Sequence, residues 1–362
     1  MSPAPPPTPS SPRSGALADY LQVFANRRIA AMLVLGFASG LPLALSAGTL
    51  QAWLTVEGIS VRTIGFFALA GLPYTFKFVW APLLDRFEPR WRGATSGRRK
   101  GWLLITQLAL AGACMLMASL DPRTGINAVG ACAVLIAFLS ASQDVVFDAY
   151  RNDLLDAHER GAGAAVSVLG YRLAMLVSGG LALILAELWL GWPGAYRLMA
   201  VLFVVLAAIT LFVPTVAAAP RALTDARREW LGFVAMVAAG AAVYFLLRQV
   251  PWPLWLGDLK ARPFAGLAID TVTMMLAFLA GILAARRVGF PSFTAPWDAF
   301  FERRHALALL VLIVLYKLGD AFAGALSTTF LIRGAGFTPA EVGAVNKALG
   351  LAATIVGALA GG

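Results

Sequence analysis

The stretch FLSASQDVVFDAYRNDLL at positions 138–155 closes an apolar run that begins at Ile126. A run of this length predicts a membrane-spanning helix, because a bilayer core of about 30 Å needs roughly 20 apolar residues. The same run carries Gln143, Asp144 and Asp148 before its polar end. A carboxylate at membrane depth costs a few kcal/mol, so we expect these side chains to serve a function.

The composition also indicates a membrane protein. Of the 362 residues, 59% are hydrophobic and 13% are charged, whereas a soluble domain is about 25% charged. Cys114 and Cys132 lie in apolar runs, and His158 and His305 stand beside charged loop residues. We therefore expect no disulfide framework, no metal site and no cofactor. No GxxxxGK[ST] motif occurs, so the sequence shows no ATPase.

Ten segments are long and apolar enough to be predicted as membrane-spanning helices. They lie near 29–54, 62–84, 102–120, 126–150, 162–188, 195–214, 230–248, 264–285, 306–330 and 340–362. Pro42 and Pro73 are expected to kink their helices, because proline removes a backbone hydrogen bond. Gly36, Gly40 and the pair Gly179-Gly180 are expected at close helix contacts.

The positive charge follows the predicted topology. The tail and the connections 86–100, 151–160, 221–228 and 286–304 hold eighteen of the 29 Lys and Arg residues, and the opposite connections hold seven. Basic residues accumulate in cytoplasmic loops, which places the N-terminus in the cytoplasm. The net charge of +10 therefore requires no nucleic-acid partner.

An internal repeat divides the chain. GISVRTIG at 58–65 opens the second predicted helix, and GFTPAEVG at 336–343 opens the tenth. Such repeats are typical of secondary transporters. The first half then has six helices, and the second half begins near His305 with only two, so we expect a fold truncated after about ten transmembrane helices.

The connection between the second and third helices holds a further motif. APLLDR at 81–86 and GRRK at 97–100 resemble the loop motif of the major facilitator superfamily, with alanine at its first glycine and an insertion before the basic cluster. In that family the motif latches the two halves on the cytoplasmic side; the alternative is a basic loop that only obeys the charge rule. The expected gate residues are Asp85, Arg86, Arg98 and Arg99.

Ionisable residues inside the predicted helices are the candidates for a substrate or proton pathway. Asp144 and Asp148 are four apart and share one helix face, and Lys77 lies at a depth similar to that of Asp144. The alternative is that buried pairs only neutralise each other and fix helix packing. The expected pathway residues are Gln143, Asp144, Asp148, Lys77, Arg172, Lys317, Asp320, Asn346 and Lys347.

Four longer blocks, at 36–86, 140–155, 159–180 and 315–337, resemble the AmpG-type muropeptide permeases of Gram-negative inner membranes, which belong to the major facilitator superfamily. The resemblance implies an all-α polytopic membrane protein with that superfamily's fold. It also implies proton-coupled import of anhydro-muropeptides (GlcNAc-anhydroMurNAc peptides) for peptidoglycan recycling and β-lactamase induction. The expected partners are therefore a sugar-peptide, protons and the lipid bilayer.

The resemblance also implies a domain order and a cavity. Helices 29–54, 126–150 and 306–330 would line the cavity, so that Gln143 and Asp144 face water and substrate.

Three alternatives for the function remain: a carrier of another large polar anion such as a CoA ester, a membrane enzyme, and a non-transporting scaffold or sensor. The expected division is a disordered cytoplasmic tail (1–27), a six-helix bundle (28–214), a linker with two extra transmembrane helices (215–304) and the start of an incomplete C-terminal bundle (305–362).

Overall fold

The computed structural model describes residues 26–86, 89, 97–157, 159–216, 226–249 and 263–350. Every regular element in these ranges is helical. The expected tail up to residue 25, and the expected last helix beyond residue 350, lie outside the described residues. The helices are α1 Arg27–Leu45, α2 Gly48–Val56, α3 Val61–Phe66, α4 Leu72–Phe76, α5 Ala81–Arg86, α6 Arg98–Met117, α7 Ile126–Leu154, α8 Arg160–Leu176, α9 Ala182–Leu185, α10 Gly191–Thr210, α11 Ala226–Gln249, α12 Pro263–Val288, α13 Pro291–Phe301, α14 Ala306–Thr329 and α15 Pro339–Glu341.

Two predicted helices are interrupted. The segment predicted as one helix at 29–54 is interrupted between α1 and α2, four residues after Pro42. The Ser46 amide at this point donates a hydrogen bond to the Pro42 carbonyl. The segment predicted at 62–84 is divided by 3₁₀ turns at Phe67–Gly71 and Lys77–Val79. Pro73 and Pro82 lack the amide donors that a continuous α-helix uses.

The fifth span contains two π-helical segments. Val177–Leu181 separates α8 from α9, and Ala186–Leu190 follows α9. Gly191 then adopts a positive φ of 65° and begins α10. The helices predicted at 162–188 and 195–214 therefore meet in a single turn, without a loop between them.

The described residues form two compact units. The first comprises those within Met1–Tyr74, Glu88–Ala217 and Leu326–Gly362, and the second those within Thr75–Phe87 and Ala218–Ala325. Six helical stretches in the described part are long and apolar enough to cross a membrane: Arg27–Val56, Arg98–Met117, Ile126–Leu154, Arg160–Thr210, Arg227–Gln249 and Ile269–Val288. The all-α polytopic fold predicted from the sequence is confirmed.

Glycine sets the closest helix contact in the first unit. A Cβ atom at Gly36 or Gly40 of α1 would collide with a carbonyl oxygen of α8, at Ser167 or Tyr171. Gly170 of α8 meets the α1 backbone in the same way. The two backbones therefore touch without a layer of side chains between them, which confirms the predicted role of these α1 glycines.

Polar contacts gather at opposite ends of this bundle. At one end, Arg28 pairs with Asp156 at 2.9 Å, and the Lys100 ammonium donates to the Leu211 carbonyl at 2.6 Å. At the other end, Arg123 pairs with Glu57 at 2.6 Å. Successive connections between the helices therefore lie at opposite ends of this unit. The count of basic residues assumed this arrangement.

The second unit is built around aromatic side chains. Phe78 stacks on Phe293 with ring centroids 5.8 Å apart and meets Phe278 and Trp297 edge-on. Phe293 and Trp297 belong to α13, a helix that the sequence analysis treated as part of a connection. Its eleven residues are too few to span a bilayer, so the length criterion overlooked it.

Candidate functional site

Asp144 lies at the centre of a polar cluster between α1, α7 and α8. The Ser39 hydroxyl of α1 donates a hydrogen bond to its carboxylate. Ser39 is only 2% exposed, and Asp144 is itself half-buried. A charge-assisted hydrogen bond inside a helix bundle is stronger than one between neutral groups, so this contact fixes the carboxylate against α1.

Tyrosines border the same carboxylate. Tyr74, from the end of α4, and Tyr171 of α8 both lie within electrostatic reach of Asp144. Tyr74 also approaches Ser140, one helical turn before Asp144 on α7. Within the described residues, the buried Tyr74 and Ser140 hydroxyls form no hydrogen bond of good geometry, although they lie near each other and Tyr74 also lies near Ser46.

Gln143 lies beside Asp144 but on a buried face of α7. It has no exposed surface, and neither its amide nitrogen nor its amide oxygen has a hydrogen-bond partner in the described part of the chain. An unsatisfied buried amide costs about 1–3 kcal/mol for each lost partner. The expectation that this side chain faces water is therefore not met in this state, although its polar atoms remain unsatisfied.

The other first-half candidates lie apart from this cluster. Asp148 forms an ion pair with Arg151 at 3.1 Å, one turn further along α7. Arg172 is exposed on α8. Lys77 belongs to the second unit, whereas Asp144 belongs to the first, so their pairing stays a prediction.

The second-half candidates cannot be placed at the level of side chains. Lys317 and Asp320 lie on α14, and Asn346 and Lys347 lie on the π-helical segment Val342–Leu349. All four side chains are outside the described residues. Their place in the pathway stays a prediction.

Of the expected gate residues, Arg99 has the best-defined contact. It is 8% exposed, and its Nε atom donates to the Asp153 carboxylate at 3.1 Å. This contact joins the start of α6 to the end of α7 within the first unit. The Arg86 side chain is outside the described residues. The latch between the two halves, with Asp85 and Arg98, stays a prediction.

The opposite end of the first unit holds contacts between the two sequence repeats. Arg333 donates to the Thr55 carbonyl at 2.8 Å, and the Thr55 and Thr329 hydroxyl oxygens lie 3.2 Å apart. The Glu187 carboxylate accepts the Ala340 amide at the start of α15. A carboxylate is favourable at a helix N-terminus, where backbone amides are unpaired.

The sequence analysis did not select Ser39, Tyr74, Tyr171 or Thr55. All four are uncharged, and hydroxyl groups are common in membrane helices, so charge alone could not identify them. The short run of small polar residues from Ser46 to Thr49 was the nearest signal. It marks the break between α1 and α2.

Known proteins resemble the chain over most of its length. Residues 28–188 match the family described as Acetyl-coenzyme A transporter 1. Over 344 residues, 95% of its length, the chain is 48% identical to the anhydromuropeptide permease of Escherichia coli K12 and covers 56% of that protein. It is 31% identical to an uncharacterized protein of Haemophilus influenzae, over 94% of the chain and 65% of the relative. It is 29% identical to putative transporter AmpG 4 of Rickettsia conorii, over 94% of the chain and 68% of the relative.

The apolar helices define a multi-pass membrane protein, and its named relatives form a group of permeases and putative transporters. Within that group the chain is similar to the AmpG-type permeases, and the resemblance found in its sequence is confirmed. The chain spans about 56% of the length of the Escherichia coli permease.

Proposed function

We propose that the full-length protein is a proton-coupled secondary transporter, not an enzyme, that imports anhydro-muropeptides. The observation that carries this proposal is the 48% identity, over 95% of the chain, to a protein named as an anhydromuropeptide permease. The cargo would enter peptidoglycan recycling and supply the signal for β-lactamase induction.

The polar cluster around Asp144 supports transport of a polar cargo. Hydroxyl groups from α1, α4 and α8 lie around the Asp144 carboxylate, and within the described residues the Tyr74 and Ser140 hydroxyls form no hydrogen bond of good geometry. A sugar-peptide needs many hydrogen-bonding partners, and a membrane interior supplies them only through the protein. In this proposal the neutral side chains contact cargo.

Asp144 is the proposed proton carrier. A carboxylate changes its proton affinity when its hydration and its neighbouring charges change, and an alternating-access cycle alters both. The Ser39 hydroxyl would stabilise the ionised carboxylate of Asp144 by its hydrogen bond. The positive charge of Lys77 would also favour the ionised form over the protonated one. Lys317 and Asp320 are proposed to contact cargo.

The proposed location is the bacterial inner membrane with the N-terminus in the cytoplasm. The excess of basic residues in one set of alternating connections supports this orientation. The N-terminal end of α1 contacts the connection at 155–160. The start of the chain and this connection both belong to the basic set, and these contacts support a position on the same side of the membrane.

A second candidate cargo is a CoA ester or another large polar anion. The match of residues 28–188 to the family described as Acetyl-coenzyme A transporter 1 favours it. Identity over a longer part of the chain favours the muropeptide.

Uptake into sealed vesicles that contain the full-length protein would test both candidates. With an inward proton gradient, we expect labelled anhydro-muropeptide to accumulate and labelled acetyl-CoA to stay outside. Accumulation of acetyl-CoA alone would favour the second candidate. Uptake of neither cargo, by protein that is folded in the membrane, would contradict the proposed function.

A further inference from the structure

A small cavity lies where α1 ends and α2 begins, and no candidate residue from the sequence analysis lines it. Its volume is about 80 Å³. Leu43, Ser46, Leu50, Gln51, Phe67 and Tyr74 line it, and none of its lining residues is charged. The break in the first span therefore leaves space that a continuous helix would have filled.

Gln51 gives this cavity a specific polar feature. The side chain is 7% exposed, and its buried Oε1 atom has no hydrogen-bond partner among the described residues. The Tyr74 hydroxyl, which also lines the cavity, is buried and forms no hydrogen bond of good geometry within the described part of the chain, although the Ser140 and Ser46 hydroxyls lie near it. Native proteins rarely leave buried polar atoms unpaired, so these two groups indicate a guest that hydrogen-bonds to both.

The remaining walls limit the chemistry of that guest. Leu43, Leu50 and Phe67 present apolar surface, which fits a methyl group. Since the lining carries no charge, a carboxylate or an ammonium group would lose its hydration without compensation. A cavity of about 80 Å³ has room for a small substituent.

We propose that this cavity binds the acetamido group of an amino sugar. The acetamido N–H would donate to Gln51 Oε1, its carbonyl would accept from the Tyr74 hydroxyl, and its methyl group would contact Leu43, Leu50 and Phe67. The inference rests on the proposed function, because it assigns one substituent of the proposed cargo to one place in the bundle.

The cavity is also linked to the contact between the repeats. The Thr55 hydroxyl donates to the Gln51 carbonyl at 2.5 Å, and the same hydroxyl lies 3.2 Å from that of Thr329. One turn of α2 therefore carries both the cavity and the repeat contact.

The test is equilibrium binding to the purified full-length protein. The probes are the N-acetylated disaccharide of an anhydro-muropeptide and the analogue in which hydroxyl groups replace the acetamido groups. We expect the wild-type protein to bind the acetylated form about tenfold more tightly or better, the effect of one good hydrogen bond. Gln51→Leu should abolish this ratio while it retains affinity for the hydroxyl analogue, and Tyr74→Phe should reduce the ratio.

Gln107→Leu is the matched control. Gln107 is also a buried glutamine with an unpartnered amide, but it lies on α6 and does not line the cavity. This variant should keep the wild-type ratio. Equal binding of both probes by the wild-type protein would mean that the cavity holds only water, and would overturn the proposal. An unchanged ratio in Gln51→Leu would also overturn it.

Vesicle uptake separates this inference from the proposed function. If the wild-type protein prefers the acetylated probe but accumulates no anhydro-muropeptide, the proposed function fails and the subsite stands. If it accumulates anhydro-muropeptide but does not distinguish the probes, the subsite alone fails. Should Gln51→Leu not accumulate in membranes, the wild-type ratio and Tyr74→Phe still decide the question.

Discussion

Arg333 donates a hydrogen bond to the Thr55 carbonyl across 2.8 Å, and each of the two residues stands three positions before the first glycine of a sequence repeat, Gly336 or Gly58. The offset of 278 residues between them also relates Gly58 to Gly336, whose φ angles are 80° and 78°. It relates Ser60, the N-cap of α3, to Thr338, the N-cap of α15, in the same way. The repeats are therefore alike in backbone geometry, and they touch each other at equivalent sites.

This contact leads to a prediction for a cross-link. Cysteines at Thr55 and Thr329 should form a disulfide on mild oxidation, because the two hydroxyl oxygens lie 3.2 Å apart. If this end must open during transport, the oxidised protein should lose uptake and regain it on reduction. Electrophoretic mobility after cleavage between the repeats measures the bond, and uptake measures its effect. The single Thr55→Cys variant is the control, and full uptake by cross-linked protein would contradict the prediction.

Asp144→Asn should separate coupling from exchange. If Asp144 carries the proton, the variant should lose uphill uptake and retain exchange of labelled for unlabelled cargo, because exchange moves no net proton. A purely structural role for an Asp144–Lys77 pair predicts instead a lower protein level, since one partner alone leaves a buried charge at a cost of about 3–5 kcal/mol. Lys77→Met added to Asp144→Asn would then restore that level.

Two further variants make the experiment on Asp144 interpretable. Asp121→Asn, at an exposed position between α6 and α7, should change neither uphill uptake nor exchange. Asp320→Asn should weaken cargo binding without uncoupling if its proposed role is correct. Uphill transport at the wild-type rate by Asp144→Asn would end the assignment of Asp144 as the carrier.

Gly170→Ala should destabilise the first unit. Its Cβ atom would collide with the Leu33 carbonyl of α1, and forced overpacking costs typically 1–3 kcal/mol. Thermal unfolding in detergent should show a lower midpoint than the wild-type protein. Gly112→Ala is the matched control, because a Cβ there meets nothing within 4 Å, and alanine is the better helix former. Similar melting of the two variants would refute backbone contact between α1 and α8.

Glu159 should make stability depend on acid pH. Hydrogen bonds from the Asn26 side chain, the Asp156 amide and Arg28 hold the pKa of its carboxyl below its ordinary value of 4.5. A lowered pKa stabilises the fold above the unfolded value, and the contribution is lost as the pH falls through the folded value. The melting midpoints of wild type and Glu159→Gln should therefore differ at pH 6, and the difference should shrink as the pH falls below 4.5. A constant difference across this range would exclude the linkage.

The sequence predicted the fold class and the order of the helices because apolar length decides both. It predicted a kink at Pro73 in the second span, but not the two 3₁₀ turns at Phe67–Gly71 and Lys77–Val79, because the hydrophobicity of 62–84 is continuous. It missed α13 because an eleven-residue helix that packs by aromatic contacts has no span-length signal. The position of Asp144 was evident from its charge, but its partner Ser39, 105 residues away in the sequence, depends on the packing of α1 against α7.

The π-helical segments in the fifth span affect how this region is compared with related sequences. Each π turn holds an additional residue, and one residue turns an α-helix by about 100°. Side chains after Val177–Leu181 and Ala186–Leu190 therefore no longer follow the face that a helical wheel drawn from Arg160 assigns to them. In a relative that lacks one of these turns, the residue aligned with Glu187 would point elsewhere and could not reach the start of α15. An identical residue at that position of a sequence alignment would then lie on a different face of the helix.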